Sequence, residues 1–239
     1  MRVLSLVHET DAPSGVFGDA VREAGHELTE WNVTEEEGPP FEPDAVVALG
    51  GPMHVDQEDT HGWLRREDAL LRRWFAEGVP LLGVCLGGQL LAKALDSPVR
   101  RMATPEIGWS EVELTPEADD DPVFAELPER FEACQWHSYS FELPLGAVPL
   151  AANARCLQAY RAGDCAWGLQ FHAEVTRETL AHWIESSTAG PFDPVRLRAE
   201  SKERIDRWNE IGKEICTRFL EVAGATPAAA TIRATSRGS

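Results

Sequence analysis

The stretch Leu81-Leu82-Gly83-Val84-Cys85-Leu86-Gly87-Gly88-Gln89 carries an apolar segment into Gly-x-Cys-x-Gly and then directly into a helical pattern over residues 89–95. This is a cysteine counterpart of the nucleophile elbow, in which a strand turns sharply into a helix and presents its reactive side chain at the bend. The flanking glycines leave room for the turn. The helix N-terminus lies beneath the sulfur, where its partial positive charge stabilises an anion, and the Leu86 N–H is free to donate to an oxyanion. A lone cysteine is ordinarily a small buried residue. Two glycines with no packing purpose shift the reading of Cys85 to a nucleophile.

A thiolate needs a base and a group that orients it. Of the seven histidines, His172 lies at the end of the apolar run in Ala166-Trp167-Gly168-Leu169-Gln170-Phe171-His172-Ala173-Glu174. Glu174, two residues on, can accept from the imidazole Nδ1–H, fixing the tautomer and stabilising the imidazolium. His8 follows the first apolar run and is expected in a solvated loop. His26, His61 and His182 sit among charged residues and are expected at the surface, while His137 reads equally as pocket lining or turn. Cys134, Cys156, Cys165 and Cys216 read as small core residues. There is no CxxC pair, no HExxH and no Lys-Ser/Thr after the glycines, so neither a metal site nor a phosphate loop nor any cofactor is expected.

The elements that must hold these groups follow from the apolar pattern. Residues 3–7, 45–49 and 79–84 are short continuous apolar runs, as in strands covered on both faces of a parallel sheet. Between the second and third, residues 64–77 place Leu64, Leu70, Leu71, Trp74 and Phe75 on one helical face, and residues 16–24 form a weaker helix. Beyond Pro98 the spacing predicts short strands over 109–114, 131–133, 147–151, 156–160 and 166–170, an acidic turn at 119–122, and helices over 177–187 and 195–222. Residues 35–40 read as a surface loop. Strand–helix–strand alternation implies an α/β sheet with helices on both sides. The expected organisation is one domain over 1–222 and a disordered tail over 223–239, whose removal should leave stability unchanged because it has little apolar surface to bury.

Composition excludes several classes. With 43% hydrophobic residues the chain can form a substantial core. With 40 acidic against 22 basic residues its surface repels phosphate backbones, so nucleic acid is not an expected partner. No run approaches the roughly 20 apolar residues of a membrane span, and the expectation is a cytoplasmic protein.

These motifs resemble the class I glutamine amidotransferase family. Gly83-Val84-Cys85-Leu86-Gly87-Gly88-Gln89 and Gly168-Leu169-Gln170-Phe171-His172-Ala173-Glu174 match its signatures, and Gly50-Gly51-Pro52-Met53 matches its glycine-rich loop. Glu106-Ile107-Gly108-Trp109 and Gln135-Trp136-His137-Ser138 are similar to elements of stand-alone proteins resembling the amidotransferase domain of GMP synthase. The resemblance implies a three-layer sandwich with a mostly parallel, flavodoxin-like central sheet. It implies a Cys85–His172–Glu174 triad that forms a γ-glutamyl thioester, and oxyanion donors at the backbone N–H groups of Gly51 and Leu86. Gln89 and the segment His137, Ser138 and Tyr139 correspond to the elements that hold the glutamine α-amino and α-carboxylate groups. The resemblance assigns no role to His54 and Val55. The implied substrate is glutamine or a γ-glutamyl small molecule, with ammonia passed to a separate synthase subunit. The alternatives are a free-standing γ-glutamyl peptide hydrolase or transpeptidase using the same triad, and a non-catalytic regulatory domain. In the partner-dependent case the oxyanion loop at Gly51-Pro52 is expected to be misaligned until the synthase binds.

Overall fold

The computed structural model describes residues 1–9, 12–35, 38–187 and 192–226. In chain order the elements are β1 (Arg2–Val7), α1 (Gly15–Glu23), β2 (Glu27–Asn32), β3 (Ala45–Ala48), α2 (Trp63–Ala76), β4 (Leu81–Val84), α3 (Leu86–Ala94) and β5 (Val99–Leu114). They continue through β6 (Arg130–Phe141), β7 (Val148–Ala152), β8 (Leu157–Ala162), β9 (Ala166–Leu169), α4 (Arg177–Ser186) and α5 (Pro194–Ala225). The nine strands form one sheet in the order β2-β1-β3-β4-β9-β8-β7-β5-β6.

The first five strands of that order are mutually parallel, and their 2-1-3-4 arrangement is that of flavodoxin-like sheets. The remaining pairings are antiparallel. Side-chain alternation divides the interior into two layers. On one face Val3, Val7, Val47, Leu82, Val84 and Leu169 pack with α1 and with Ile205, Trp208, Ile215 and Phe219 of α5. On the other Leu4, Leu6, Val46, Ala48 and Leu81 pack with Leu64, Leu71 and Trp74 of α2 and Leu90 and Leu91 of α3. This is the expected sandwich of helices on both sides of a sheet.

Several segments depart from the sequence reading. Strand β2 lacks an apolar run because it is the sheet edge, where only Trp31 is buried. Strand β6 extends well past residue 133, where the apolar pattern breaks because His137 and Ser138 line a cleft and Gln135 is buried in a hydrogen bond with Gln158. Helix α5 continues past residue 222, and Ala223 is fully buried against the main core. The tail expected from residue 223 therefore begins no earlier than 226, and residues 227–239 lie outside the described residues. The loop expected over 35–40 falls partly outside them as well. No described helix is long and apolar enough to cross a membrane.

Two glycines let helices sit directly on the chain between β9 and α4. A Cβ at Gly15 would stand 1.9 Å from the Glu174 carbonyl oxygen, and one at Gly212 would stand 2.0 Å from the Ala173 carbonyl oxygen. Gly212→Ala should therefore destabilise the fold by about 1–3 kcal/mol or more, because both clashing atoms are backbone. It should also depress activity, because Ala173 separates His172 from Glu174. Thermal unfolding and turnover measured on the same preparation check both effects.

Candidate active site

The site lies at the carboxyl ends of the parallel strands, where ligand crevices form in open α/β sheets. Strand β4 ends at Val84 and α3 begins at Leu86, leaving Cys85 as the single residue of the bend, with φ 50° and ψ −106°. Such a conformation is strained for a residue carrying a Cβ and persists only where its surroundings impose it. The surroundings are glycines: a Cβ at Gly87 would lie 2.1 Å from the Ala48 carbonyl oxygen, and one at Gly88 would lie 2.6 Å from that of Leu169. The first turn of α3 thus rests on the ends of β3 and β9. The Gly87 N–H donates to Leu49 O at 3.0 Å, whereas the Leu86 N–H, at the first helical position, has no intrahelical acceptor.

His172 is held from every side. Its backbone N–H donates to Cys134 O (2.9 Å), and its carbonyl accepts from Trp208 Nε1 (2.8 Å). Nδ1 donates to Glu174 Oε1 at 2.7 Å, and the Trp183 ring meets the imidazole edge-on at 4.9 Å between centroids. Gly50 closes the remaining side, where a Cβ would come within 2.6 Å of the ring Cε1 and 3.6 Å of the Cys85 Cβ. Burial works against charge on this ring, yet Glu174 and the Cys85 sulfur outweigh it and raise the His172 pKa well above the usual value. The ring is therefore poised to hold a proton beside the sulfur.

A cleft of about 270 Å³ opens above Cys85, lined by Gly51, Leu86, Gln89, His137, Ser138 and Tyr139 among others. All the residues anticipated for substrate contact border it, but three use their side chains to build it. Gln89 Nε2 donates to Tyr139 O (3.0 Å), and the His137 ring engages Tyr139 O (3.0 Å) and Gln135 Oε1 (3.1 Å). The Tyr139 hydroxyl donates to Asp56 (3.0 Å) and its ring stacks on His54 at 4.2 Å. The segment 137–139 thereby borders the cleft with the His137 and Tyr139 side chains braced and the Tyr139 carbonyl engaged. His137 cannot serve as the base for Cys85, because both its nitrogens are committed.

Sequence reasoning placed some groups elsewhere. His8 is buried, not solvated, and bonds Glu67 of α2. Cys156 and Cys165 are half-buried, while Cys134 and Cys216 are core residues as expected. Among the described residues one group could approach metal-ligand geometry: Glu106, His137 and Cys156, with candidate atoms within 4.8 Å of one another. Its carboxylate already accepts from Ser110 (2.9 Å) and Asn153 (2.8 Å), so the cluster is a satisfied hydrogen-bond network that braces β5 against β6 and β8. Residues 106, 137 and 156 share no motif spacing, and no signal in the sequence joins them.

The class I glutamine amidotransferase family profile matches residues 17–187, which span the elbow, the cleft and the His172–Glu174 segment. The chain belongs to this family. Among solved structures, this amidotransferase is similar to a glutamine amidotransferase from Thermotoga maritima, with 31% identity and a TM-score of 0.82 over 95% of this chain and 99% of that one. One from Methylobacillus flagellatus superposes with a TM-score of 0.81 at 26% identity, over 93% of this chain and 94% of that one. Among curated proteins, the glutamine-hydrolysing GMP synthase of Tolumonas auensis is 34% identical over 169 residues, covering 65% of this amidotransferase. That of Thermosipho melanesiensis is 30% identical over 191 residues, covering 77%. The chain spans 30% and 35% of the length of these two relatives.

Alkylation should discriminate among the five cysteines. Burial raises the thiol pKa of Cys134, Cys165, Cys156 and Cys216, the last two to about 12, so these sulfurs stay protonated and slow at neutral pH. Cys85 should be carboxamidomethylated first by limiting iodoacetamide, as read by peptide mass spectrometry. Faster labelling at any other cysteine would remove Cys85 from the nucleophile position.

Proposed function

We propose that this protein hydrolyses the side-chain amide of glutamine and passes the ammonia to a separate synthase subunit. The observation that carries this reading is the strained Cys85 beside the buried His172–Glu174 pair, at the floor of a cleft of amino-acid size. Cys85 Sγ attacks the amide carbon as a thiolate, and a C–S bond forms while the oxygen takes the negative charge. The N–H groups of Gly51 and Leu86 stabilise that oxygen. Collapse breaks the C–N bond, and the His172 imidazolium gives its Nε2 proton to the departing ammonia. His172 then takes a proton from water, whose oxygen attacks the γ-glutamyl thioester and releases glutamate. Glu174 keeps the ring oriented and stabilises its charged form. Gln89 and the 137–139 backbone hold the α-amino and α-carboxylate groups.

Likeness to a minor portion of GMP synthases supports a synthase as ammonia acceptor, and the triad is independent of which acceptor it serves. Cys85→Ser should lower turnover by about 10³-fold or more, since no other group forms the thioester. His172→Asn should be nearly as damaging, and Glu174→Gln should be milder, because the acid moves no proton. Ammonia release from glutamine measures all three. Wild-type turnover retained in the His172 variant would exclude the mechanism.

One feature favours the second reading, a self-sufficient γ-glutamyl peptide hydrolase. A further cleft of about 330 Å³ adjoins His172 and is lined by Trp136 and Trp183, which gives space for a leaving group larger than ammonia. Comparing release from glutamine with release from γ-glutamyl peptides decides between the two. Efficient peptide cleavage with glutamine a poor substrate would establish the hydrolase.

A further inference from the structure

Beside the glycine loop the nucleophile and its base leave a buried pair of titratable groups unused. His8, at the carboxyl end of β1, and Glu67, on α2, are 2% and 1% exposed, and His8 Nε2 lies 2.8 Å from Glu67 Oε2. A buried ion pair is seldom retained for stability alone, because desolvation offsets most of the attraction. The other ring nitrogen is directed at the active site: His8 Nδ1 lies 3.0 Å from the Gly50 carbonyl oxygen. A carbonyl can only accept, so Nδ1 carries a proton and donates. With Nδ1 protonated, a second proton on Nε2 makes the ring an imidazolium facing the Glu67 carboxylate. Burial opposes that charge, and Glu67 outweighs it, so the His8 pKa is raised above its usual value. The ring also stacks on Trp63 at 5.2 Å, which fixes its plane.

The carbonyl that His8 grips belongs to the same peptide unit as the Gly51 N–H. The unit is planar and trans, so its C=O and N–H point in opposite directions. Holding Gly50 O against His8 therefore turns the Gly51 N–H away from it. Gly51 borders the cleft that contains Cys85, and a Cβ at Gly51 would approach His8 Cβ to 2.8 Å and Leu86 Cδ2 to 3.1 Å. The preceding carbonyl, Leu49 O, is already taken by the Gly87 N–H. Two successive carbonyls are thus tied, one by α3 and one by His8. Rotation of the Gly50–Gly51 peptide, otherwise easy between glycines, would break the second tie and leave a buried imidazolium N–H unsatisfied, which is costly.

We propose that His8, braced by Glu67, is a positioning residue that locks the Gly50–Gly51 peptide with its N–H available as an oxyanion donor, so that the protein turns over its γ-glutamyl donor without a partner. The inference rests on the proposed acyl-transfer reading, in which Gly51 supplies one half of the oxyanion hole. It replaces the expectation of a hole misaligned until a synthase binds.

The test uses a reaction that needs the thiolate but forms no oxyanion. Alkylation of Cys85 by iodoacetamide reports the Cys85–His172 pair alone, whereas release of nitroaniline from γ-glutamyl p-nitroanilide, or of ammonia from glutamine, reports the pair and the hole together. The double variant His8→Leu/Glu67→Leu removes both charges at once, so no unpaired ion is left in the core. Its kcat should fall about 10²–10³-fold, with KM and the Cys85 labelling rate each within about threefold of wild type. His8→Asn/Glu67→Gln, whose amide N–H can take the place of the ring Nδ1–H, should recover at least about tenfold of that loss. Unchanged kcat in the leucine variant, or labelling that falls in parallel with kcat, would overturn the lock. So would a wild-type protein that labels rapidly at Cys85 yet cleaves neither donor alone. Slow labelling of wild-type Cys85 would instead overturn the nucleophile assignment beneath it.

Discussion

Everything at the site depends on how closely the first turn of α3 rests on the sheet. Gly87 and Gly88 bring the helix backbone against the carbonyl oxygens of Ala48 and Leu169, at separations no Cβ would permit. That contact places Cys85 between β4 and α3 with nowhere to relax, and its unusual backbone angles follow from it. It also sets the Gly87 N–H on the Leu49 carbonyl just after β3 and leaves the Leu86 N–H without an intrahelical acceptor. The strain at Cys85, the seat of the glycine loop after β3 and the entry to His172 after β9 are three consequences of one packing requirement.

His172 is positioned by backbone more than by side chain. The three residues from His172 to Glu174 are tied to β6 through Cys134, to α5 through Trp208, and to α1 through Val16. These ties come from one core of the sandwich, from helices α1 and α5 and from the antiparallel half of the sheet, so the imidazole is oriented by elements far apart in the chain. The extension of the sheet through β8, β7, β5 and β6 has a function in this light. It brings residues 136–139 over the cleft, where the side chains of Gln89 and His137 are committed to the Tyr139 carbonyl.

A third layer of support lies beneath the glycine loop. The His8–Glu67 pair links the end of β1 to α2 and ends on the Gly50 carbonyl, near Cys85. In a segment made of glycine, sterics leave the peptide orientation open, and a hydrogen bond to a buried charged ring is a strong way to close it. The acidic surface, by contrast, makes ordinary exposed ion pairs with the scattered arginines, such as Arg73–Glu42 and Arg100–Glu142. Pairs of that kind contribute little individually.

What the sequence alone determined was local. A glycine on either side of Cys85, a short apolar run before it and a helical pattern after it specify a strand–turn–helix bend, because no other local geometry uses all three. The two-residue step from His172 to Glu174 likewise specifies a pair that can hydrogen-bond. Continuous apolar runs at residues 3–7, 45–49 and 79–84 imply a doubly covered parallel sheet for the same local reason. The extension of β6 past residue 133 was hidden because its apolar pattern is broken by polar residues, and β2 because an edge strand needs few apolar residues. The end of α5 was hidden because an alanine gives no sign of whether it is buried. His8 and Glu67 stand 59 residues apart, and each alone reads as an unremarkable polar residue near an element end. Only the close packing of β1, β3 and α2 brings them together, because a buried charge declares its partner only once the chain has removed both from water.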